Sequence, residues 1–411
     1  MPARRVLLTA AVVVATLSAC TSGSSQRPTG SATGRLTQSS RSTASASSAA
    51  PTSPAAGAST HPAGARSTRR TVTILGTGDV LIHPALWEQA HADALAAGRS
   101  GYDFAAMYAS IAPDVHRANL AICEMESPLA PPQGPFTGWP QFSSPPQVLT
   151  ALKQVGYSSC TTASNHSIDE GYAGVKRTLD ELDSAGLKHT GSARSASEAA
   201  RPLIITMSNG VRVAQLAYAF AFNGLQRPPG EQWLANLTDV PEILAAAHRA
   251  KQAGADVVVL SMHWGVEYNQ GATDEQRSEA EQLLASPDID LILGDHPHVV
   301  EPAQRIHGKW VFFSMGNQIS RHADPILVSR EGAMPIVTLT EGAKGQFRAT
   351  HAEVVPTLMR LTPLLRLIDL RAAVADPATT PTDLTAYRAA IAQVRSTLDT
   401  YGADKDGLVV P

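Results

Sequence analysis

Three cysteines in 411 residues are too few for a disulfide-built scaffold. No apolar run approaches the ~20 residues needed to span a bilayer, which excludes a polytopic membrane protein. Acidic residues are missing altogether from the first 70 positions, which hold eight Arg. The remaining 341 residues carry 25 Lys and Arg against 36 Asp and Glu, a net of −11 within a formal charge of −3 for the whole chain. A body of that sign lacks the clustered cationic surface that displaces counterions from phosphates, so nucleic acid is excluded as a partner. No internal repeat is visible. What remains is an acidic globular body long enough for one large or two ordinary domains.

The N-terminal 20 residues read as a targeting signal. Arg4 and Arg5 give a cationic start, Val6 to Leu17 an apolar stretch, and Leu17-Ser18-Ala19-Cys20 a small-residue cleavage site. Cys20 directly after Leu-Ser-Ala resembles a bacterial lipobox, in which the Cys is lipidated and becomes the new N-terminus. The alternatives are a signal peptide cut near Ala19 and an uncleaved anchor, for which the apolar segment is short. Residues 21–70 follow with 40 of 50 positions occupied by Ser, Thr, Ala, Gly or Pro. That composition offers almost no apolar area to offset the entropy of ordering, so a disordered tether with a reach of about 35–42 Å is expected. The protein is thereby expected on the outer face of a bacterial cell membrane, held by a lipid.

From Thr71 short β-branched runs alternate with capped helical stretches, which argues α/β. Helices are expected at 171–185, 241–253, 274–285 and 381–399, the third opened by a Thr273/Gln276 capping box and the last amphipathic. Strands are expected at 71–77, 119–123, 157–162, 202–207, 211–218, 256–262, 290–294 and 310–314. Polar residues collect just after several of them: Asp79; Glu124 and Glu126; Asn165 and His166; His263; His296 and His298. Ligands of open α/β sheets bind outside the carboxyl ends of strands, where loops converge. Each of these residues alone suits a turn, a cap or a solvated strand face. Together, carboxylates, an amide oxygen and imidazoles form the mixed N/O set that divalent transition metals take.

The motifs Gly78-Asp79, Glu124-Met125-Glu126, Asn165-His166-x-x-Asp169-x-Gly171, His263-Trp264-Gly265-x-Glu267-Tyr268, Gly294-Asp295-His296-Pro297-His298 and Ser314-Met315-Gly316-Asn317 occur in that order. In this the chain resembles the bacterial capsule-synthesis CapA family, associated with poly-γ-glutamate, within the calcineurin-like metallophosphatase superfamily. The resemblance covers about 71–322. It implies a four-layer α/β/β/α sandwich over 71–355, with 356–411 as a C-terminal extension, and two divalent metal ions (Mn, Zn or Fe). Asp79 and His298 would hold the first metal, Glu126 would bridge, and Asn165, His263 and His296 would hold the second. His166, oriented by Asp169, would serve as proton donor or oxyanion partner, or else act only as a spacer that positions Asn165. Further candidates are Glu124, Glu267 and Asn317, with His83 as a substitute for the Asp-x-His histidine that Leu81 replaces. Glu126 stands where true phosphoesterases of the superfamily have Asp, Glu124 where the family has Asn, and Asp295 where it has His. Cys123 and Cys160 each end an expected strand. Adjacent strands would allow a disulfide, and otherwise the two are buried thiols.

Two activities compete on this reading. One is a metal-dependent hydrolase acting on a phosphoester or amide in an envelope polymer or its precursor. The other is a non-catalytic accessory that binds an anionic polymer or supports a membrane polymer synthase. The acidic body opposes polyanion binding unless metals and residues such as Arg201, Arg305 or Arg321 reverse the field locally. The location is testable first. Cys20→Ala should release the protein from membranes or leave its precursor uncleaved; unchanged retention and processing on fractionation would dismiss the lipobox.

Overall fold

In the computed structural model residues 69–322 and 326–411 are described. The expected signal segment with Cys20, and the tether as far as residue 68, lie outside them. Fifteen strands form two sheets among these residues. The chain first lays down β1 (Thr71–Val80), β2 (Leu120–Met125), β3 (Ser159–Thr161) and β4 (Lys188–Thr190) of one sheet. It then builds the second sheet whole, from β5 (Leu203–Thr206), β6 (Arg212–Ala219), β7 (Val257–His263), β8 (Leu291–Asp295), β9 (Ala303–Ile306) and β10 (Lys309–Phe312). It returns to the first with β11 (Asn317–Ile319), β12 (Glu331–Glu341), β13 (Phe347–Arg360), β14 (Arg366–Asp369) and β15 (Leu408–Val409). The first sheet runs β14-β13-β12-β1-β2-β3-β4, with β11 beside β1 and β15 beside β13; the second runs β5-β6-β7-β8-β10-β9.

Side-chain alternation turns this order into layers. On β2, Leu120 and Ile122 face one core while Ala121, Cys123 and Met125 face another. On β7, Val257 and Val259 join the core of Leu120 and Ile122, whereas Val258, Leu260 and Met262 point away from it. The shared core lies between the sheets, as in any face-to-face sheet packing. The outer core of the first sheet is closed by helices Pro84–Ala96, Val148–Val155 and Gly171–Ser184, through Leu86, Leu152, Val175 and Leu179 among others. The outer core of the second is closed by Val240–Gln252 and Asp274–Ala285, through Ile243, Ala247, Leu283 and Leu284. The result is the four-layer α/β/β/α sandwich.

The helices start where their sequences signal a start. Asp239 accepts from the Glu242 N–H ahead of Pro241, and Thr273 with Gln276 makes both bonds of the capping box. The division expected at residue 355 falls inside β13, which continues to Arg360. Residues beyond it supply β14 and β15, and the helix Pro381–Leu398 seats Val394 and Leu398 in the inter-sheet core. No helix among the described residues is long and apolar enough to cross a membrane.

β2 and β3 are adjacent and parallel, with Cys123 opposite Cys160, and the two are joined in a disulfide across a Cα separation of 4.4 Å. The bond closes a sequence separation of 37 on the two strands that lead to Glu124 and Asn165. Replacing both cysteines by Ala should lower stability by about 2–4 kcal/mol. A denaturant midpoint that moves neither in that variant nor on reducing the parent would show the bond to be absent in solution.

Candidate metal centre

The rows of side chains that pack sheet against sheet change character at the strands' carboxyl ends. On β2 the row Leu120, Ile122 continues into Glu124; on β7 the row Val257, Val259, Ser261 ends in His263; on β8 Leu291 and Leu293 end in Asp295. The period of two that fills the core with aliphatics therefore also aims these polar groups into it. Asp79 reaches the same place through a register shift between Gly76 and Asp79, which re-aims the end of β1. Two glycines let the carrying segments close on one another. A Cβ on Gly78 would lie 1.7 Å from the Gly316 carbonyl oxygen, and one on Gly294 would lie 1.9 Å from that of Phe313. With neither present, the Asp79 N–H donates to Gly316 O at 3.1 Å.

Two buried triads result, each with ligand atoms within 4.8 Å of one another: Asp79, Glu124 and His263, and Asp79, Glu126 and His298. Asp79 belongs to both. One of its oxygens accepts from the His296 main-chain N–H at 3.1 Å, and the other lies 2.9 Å from His298 Nδ1. His263 sits between Glu124 (Nδ1 to Oε1, 2.7 Å) and Asn165 (Nε2 to Oδ1, 2.9 Å). His298 Nε2 is 3.8 Å from Glu126. The His296 ring centroid lies 4.8 Å from that of His263 and 6.0 Å from that of His298. His296 and His298 both adopt positive φ (96° and 58°), a strain of order 1–3 kcal/mol each, held in place by the surrounding structure.

The cluster is short of positive charge. Burial pushes the Glu124 carboxyl well above the usual range, and Asp295 and Asp79 push it the same way. Burial does the same to Glu126, with Asp79 and Glu267 adding to it against the pull of His298. Asp295 is raised by burial and by Asp79 and Glu126. For Asp79 burial is outweighed by the charge and hydrogen bond of His298, which hold it well below the usual range. Burial would lower His298, but Glu126 and Asp79 carry it up to about 9. His263 and His296 are driven down by burial and by their imidazole neighbours, His296 to about 3. Both oxygens of Glu126, one each of Glu124 and Asp295, and Nδ1 of His296 have no hydrogen-bond partner. Buried polar atoms without partners are costly, and lone pairs converging from acids and imidazoles are what a divalent cation satisfies. The residues present fit a metal.

A cleft of about 740 Å³ opens beside this cluster, lined by His298 and, among others, Phe142, His166, Asp169 and Asn223. His166 Nδ1 lies 2.7 Å from Asp169 Oδ2, which also accepts from the Phe142 N–H at 2.8 Å. Asp169 thus fixes the ring through Nδ1. Asn223 was not singled out from sequence. At φ 49° in a Phe-Asn-Gly turn, it offers Oδ1 to Asn165 Nδ2 (3.2 Å) and lies 3.4 Å from His166 Nε2. His322, also missed, stands outside every motif and packs its ring 5.1 Å from that of His298. His83 belongs to neither triad: its Nδ1 lies 3.1 Å from Leu81 O and accepts the Arg321 N–H, and the ring lines the cleft instead. Glu267 is exposed on the cleft wall. Asn317 donates to the main-chain oxygens of His298 and Ser329, so it braces the His298 loop, with its Oδ1 left unpartnered.

Loading such a site displaces protons from Glu124, Glu126 and His298, all raised above their ordinary values, so binding tightens as those protons become easier to lose. Mn²⁺ affinity measured by calorimetry should therefore rise from about pH 6 to about pH 8, with proton release that changes the apparent heat between buffers. A flat profile would mean that these acids do not take up the cation.

The chain spans about half the length of the curated relatives it matches. The PGA biosynthesis protein CapA of Bacillus subtilis (strain 168) is 30% identical over 210 residues, covering 50% of this chain and 53% of its own. A protein of Mycobacterium tuberculosis, named a probable polyglutamine synthesis accessory protein, is 26% identical over 183 residues, 42% of this chain and 48% of its own. A calcineurin-like phosphoesterase from Bacillus subtilis aligns over 80% of this chain and 100% of its own at 15% identity, with a TM-score of 0.43, a likeness too loose to bear on function. The family model of the bacterial capsule synthesis protein PGA_cap matches residues 73–322, which takes in both triads, the His166–Asp169 pair and the loop of Asn317, and the chain belongs to that family.

Proposed function

We propose that this is an exported, lipid-anchored hydrolase that uses two divalent cations (Mn, Zn or Fe) to cleave a phosphoester or amide bond in an envelope polymer or its precursor. The observation that carries the reading is a buried acid and imidazole cluster with unpartnered lone pairs, open to the same cleft as a carboxylate-oriented histidine. Asp79 would serve both cations, with Glu126 and His298 on one side and Glu124, His263 and Asn165 on the other; His296 supplies a further lone pair. Cations held there would polarise a substrate oxygen and acidify bound water. The chain's own contribution is positional. Asp169 holds His166 in one orientation, so that Nε2 is the atom that gives or takes a proton at the substrate. Asn165, next to His166 in the chain, hydrogen-bonds His263, so that the ligand is held to the proton carrier's segment. Leu81 and Phe142 give that part of the cleft an apolar wall.

The second reading is a non-catalytic accessory to a membrane polymer synthase, favoured by the name of the mycobacterial relative. The two part company at His166, which such an accessory does not need. Protein loaded with Mn²⁺ or Zn²⁺ should hydrolyse members of a phosphoester and γ-glutamyl amide panel. His263→Ala should lose metal and turnover together, whereas His166→Ala should keep its metal and lose about 10²–10⁴-fold in rate. Full metal content with no turnover and no effect of His166→Ala would leave the accessory reading standing alone.

A further inference from the structure

The two ends of the sandwich differ in charge. Among the described residues no Lys or Arg lines the cleft beside the triads. The opposite end, where the parallel strands begin, holds a pocket of about 490 Å³ between the β9–β10 turn and the β12–β13 hairpin. Four basic side chains line it (Lys251, Arg305, Lys309 and Arg348) against the single carboxylate of Asp290. That is an unusual concentration in a body of net charge −11.

Three of these four side chains have no ion-pair partner among the described residues. Lys251 pairs with Asp290 at 2.8 Å, and Asp288, hydrogen-bonded to His248, is a second acid whose field, with that of Asp290, reaches Lys309 against the lowering effect of its burial. Lys309 donates only to the main-chain oxygens of Leu284 and Ser286. Arg305 donates only to those of Gly308, Asp406 and Ala349, at 3.2–3.3 Å. Arg348 has no ion-pair partner among the described residues. Three cations without an ion-pair partner around one concavity suit a dianion with several acceptor oxygens better than a lone carboxylate. The pocket is also distant from the metal centre. Asp290 and Asp295 flank the length of β8, about 16 Å apart. Its neighbour is the start of the body: Arg70, bound to Asp256 and Glu341, stacks over Phe347 of the pocket wall at 5.5 Å.

We propose that this pocket is a second, non-catalytic site that binds a phosphate group. It lies where the chain enters the body and is independent of the hydrolysis proposed above. Phosphate could arrive free in solution or on a lipid headgroup, and both offer the same oxygens to Arg305, Lys309 and Arg348.

The test uses full-length protein treated with chelator, so that no metal competes for the anion. Calorimetry with inorganic phosphate and pyrophosphate should show binding that weakens with added salt. Lys309→Met with Arg348→Gln should weaken it by about tenfold or more. Arg348→Gln alone, on an exposed strand position, serves as the variant that leaves packing untouched and should weaken it by a smaller factor. Co-sedimentation with phosphatidylglycerol and phosphatidylcholine vesicles separates the sources, each variant being compared with the parent so that the shared tether cancels. Loss of both free-phosphate and vesicle binding in the double variant assigns the pocket to a headgroup; loss of free-phosphate binding alone assigns it to a soluble phosphate. Binding equal in parent and double variant, or no phosphate binding by the parent at millimolar concentration, would overturn the site. None of these outcomes depends on turnover, so failure here and failure of the hydrolase reading are distinguishable.

Discussion

Four carboxyl groups (Asp79, Glu124, Glu126 and Asp295) are buried within one strand-end crevice, and much of the molecule follows from keeping them there. In a low-dielectric interior like charges repel strongly, so without a cation the protein keeps one ion pair, Asp79 with His298, and pushes the remaining acids towards their neutral form. That arrangement gives up folding stability for readiness to bind. Hydrophobic residues of similar volume would pack the crevice better and hold nothing. The three aliphatic cores around the sheets offset the cost.

The sandwich also explains how five ligand-bearing segments meet. Three sit at the ends of neighbouring strands of one sheet and two at the ends of strands of the other, so face-to-face packing brings them together without long loops. The crossover from β10 to β11 passes between them, and its Gly316 accepts the main chain of Asp79 at a distance no side chain would permit. The disulfide fixes β2 to β3 beneath Glu124 and Asn165. Precision at the site thus comes from backbone contacts and one covalent bond under it.

Most of the fold was legible where a segment is long enough to show its period. The eight strands and four helices read from alternation and caps are all present, with ends shifted by a few residues. β4 and β11, at three residues each, have no period to read. β12 and β13 carry Pro335 and Pro356, which ordinarily argue against a central strand. The candidate ligands were legible because acids and imidazoles after β-branched runs are conspicuous. Their partnership was not. Nothing in the motif order says that Asp79 rather than Glu126 belongs to both triads, since that depends on the shifted register at the end of β1. Asn223 and His322 contribute through the third dimension alone, and no spacing would have found them.

The pairing of β1 sets the order in which the molecule becomes itself. Leu75 lies opposite Ala121 on one side and Ile336 on the other, and Asp79 meets Asn317. The first strand to be made therefore waits for some of the last, while a complete second sheet is threaded in between. Contacts of such long sequence separation close slowly, after local helices and hairpins have formed. Asp79 at the end of β1 accordingly has no fixed surroundings until nearly all of the body has been synthesised. The capacity to hold a cation is acquired at the end of folding, which makes it a mark of a finished molecule rather than a nucleus around which one is built.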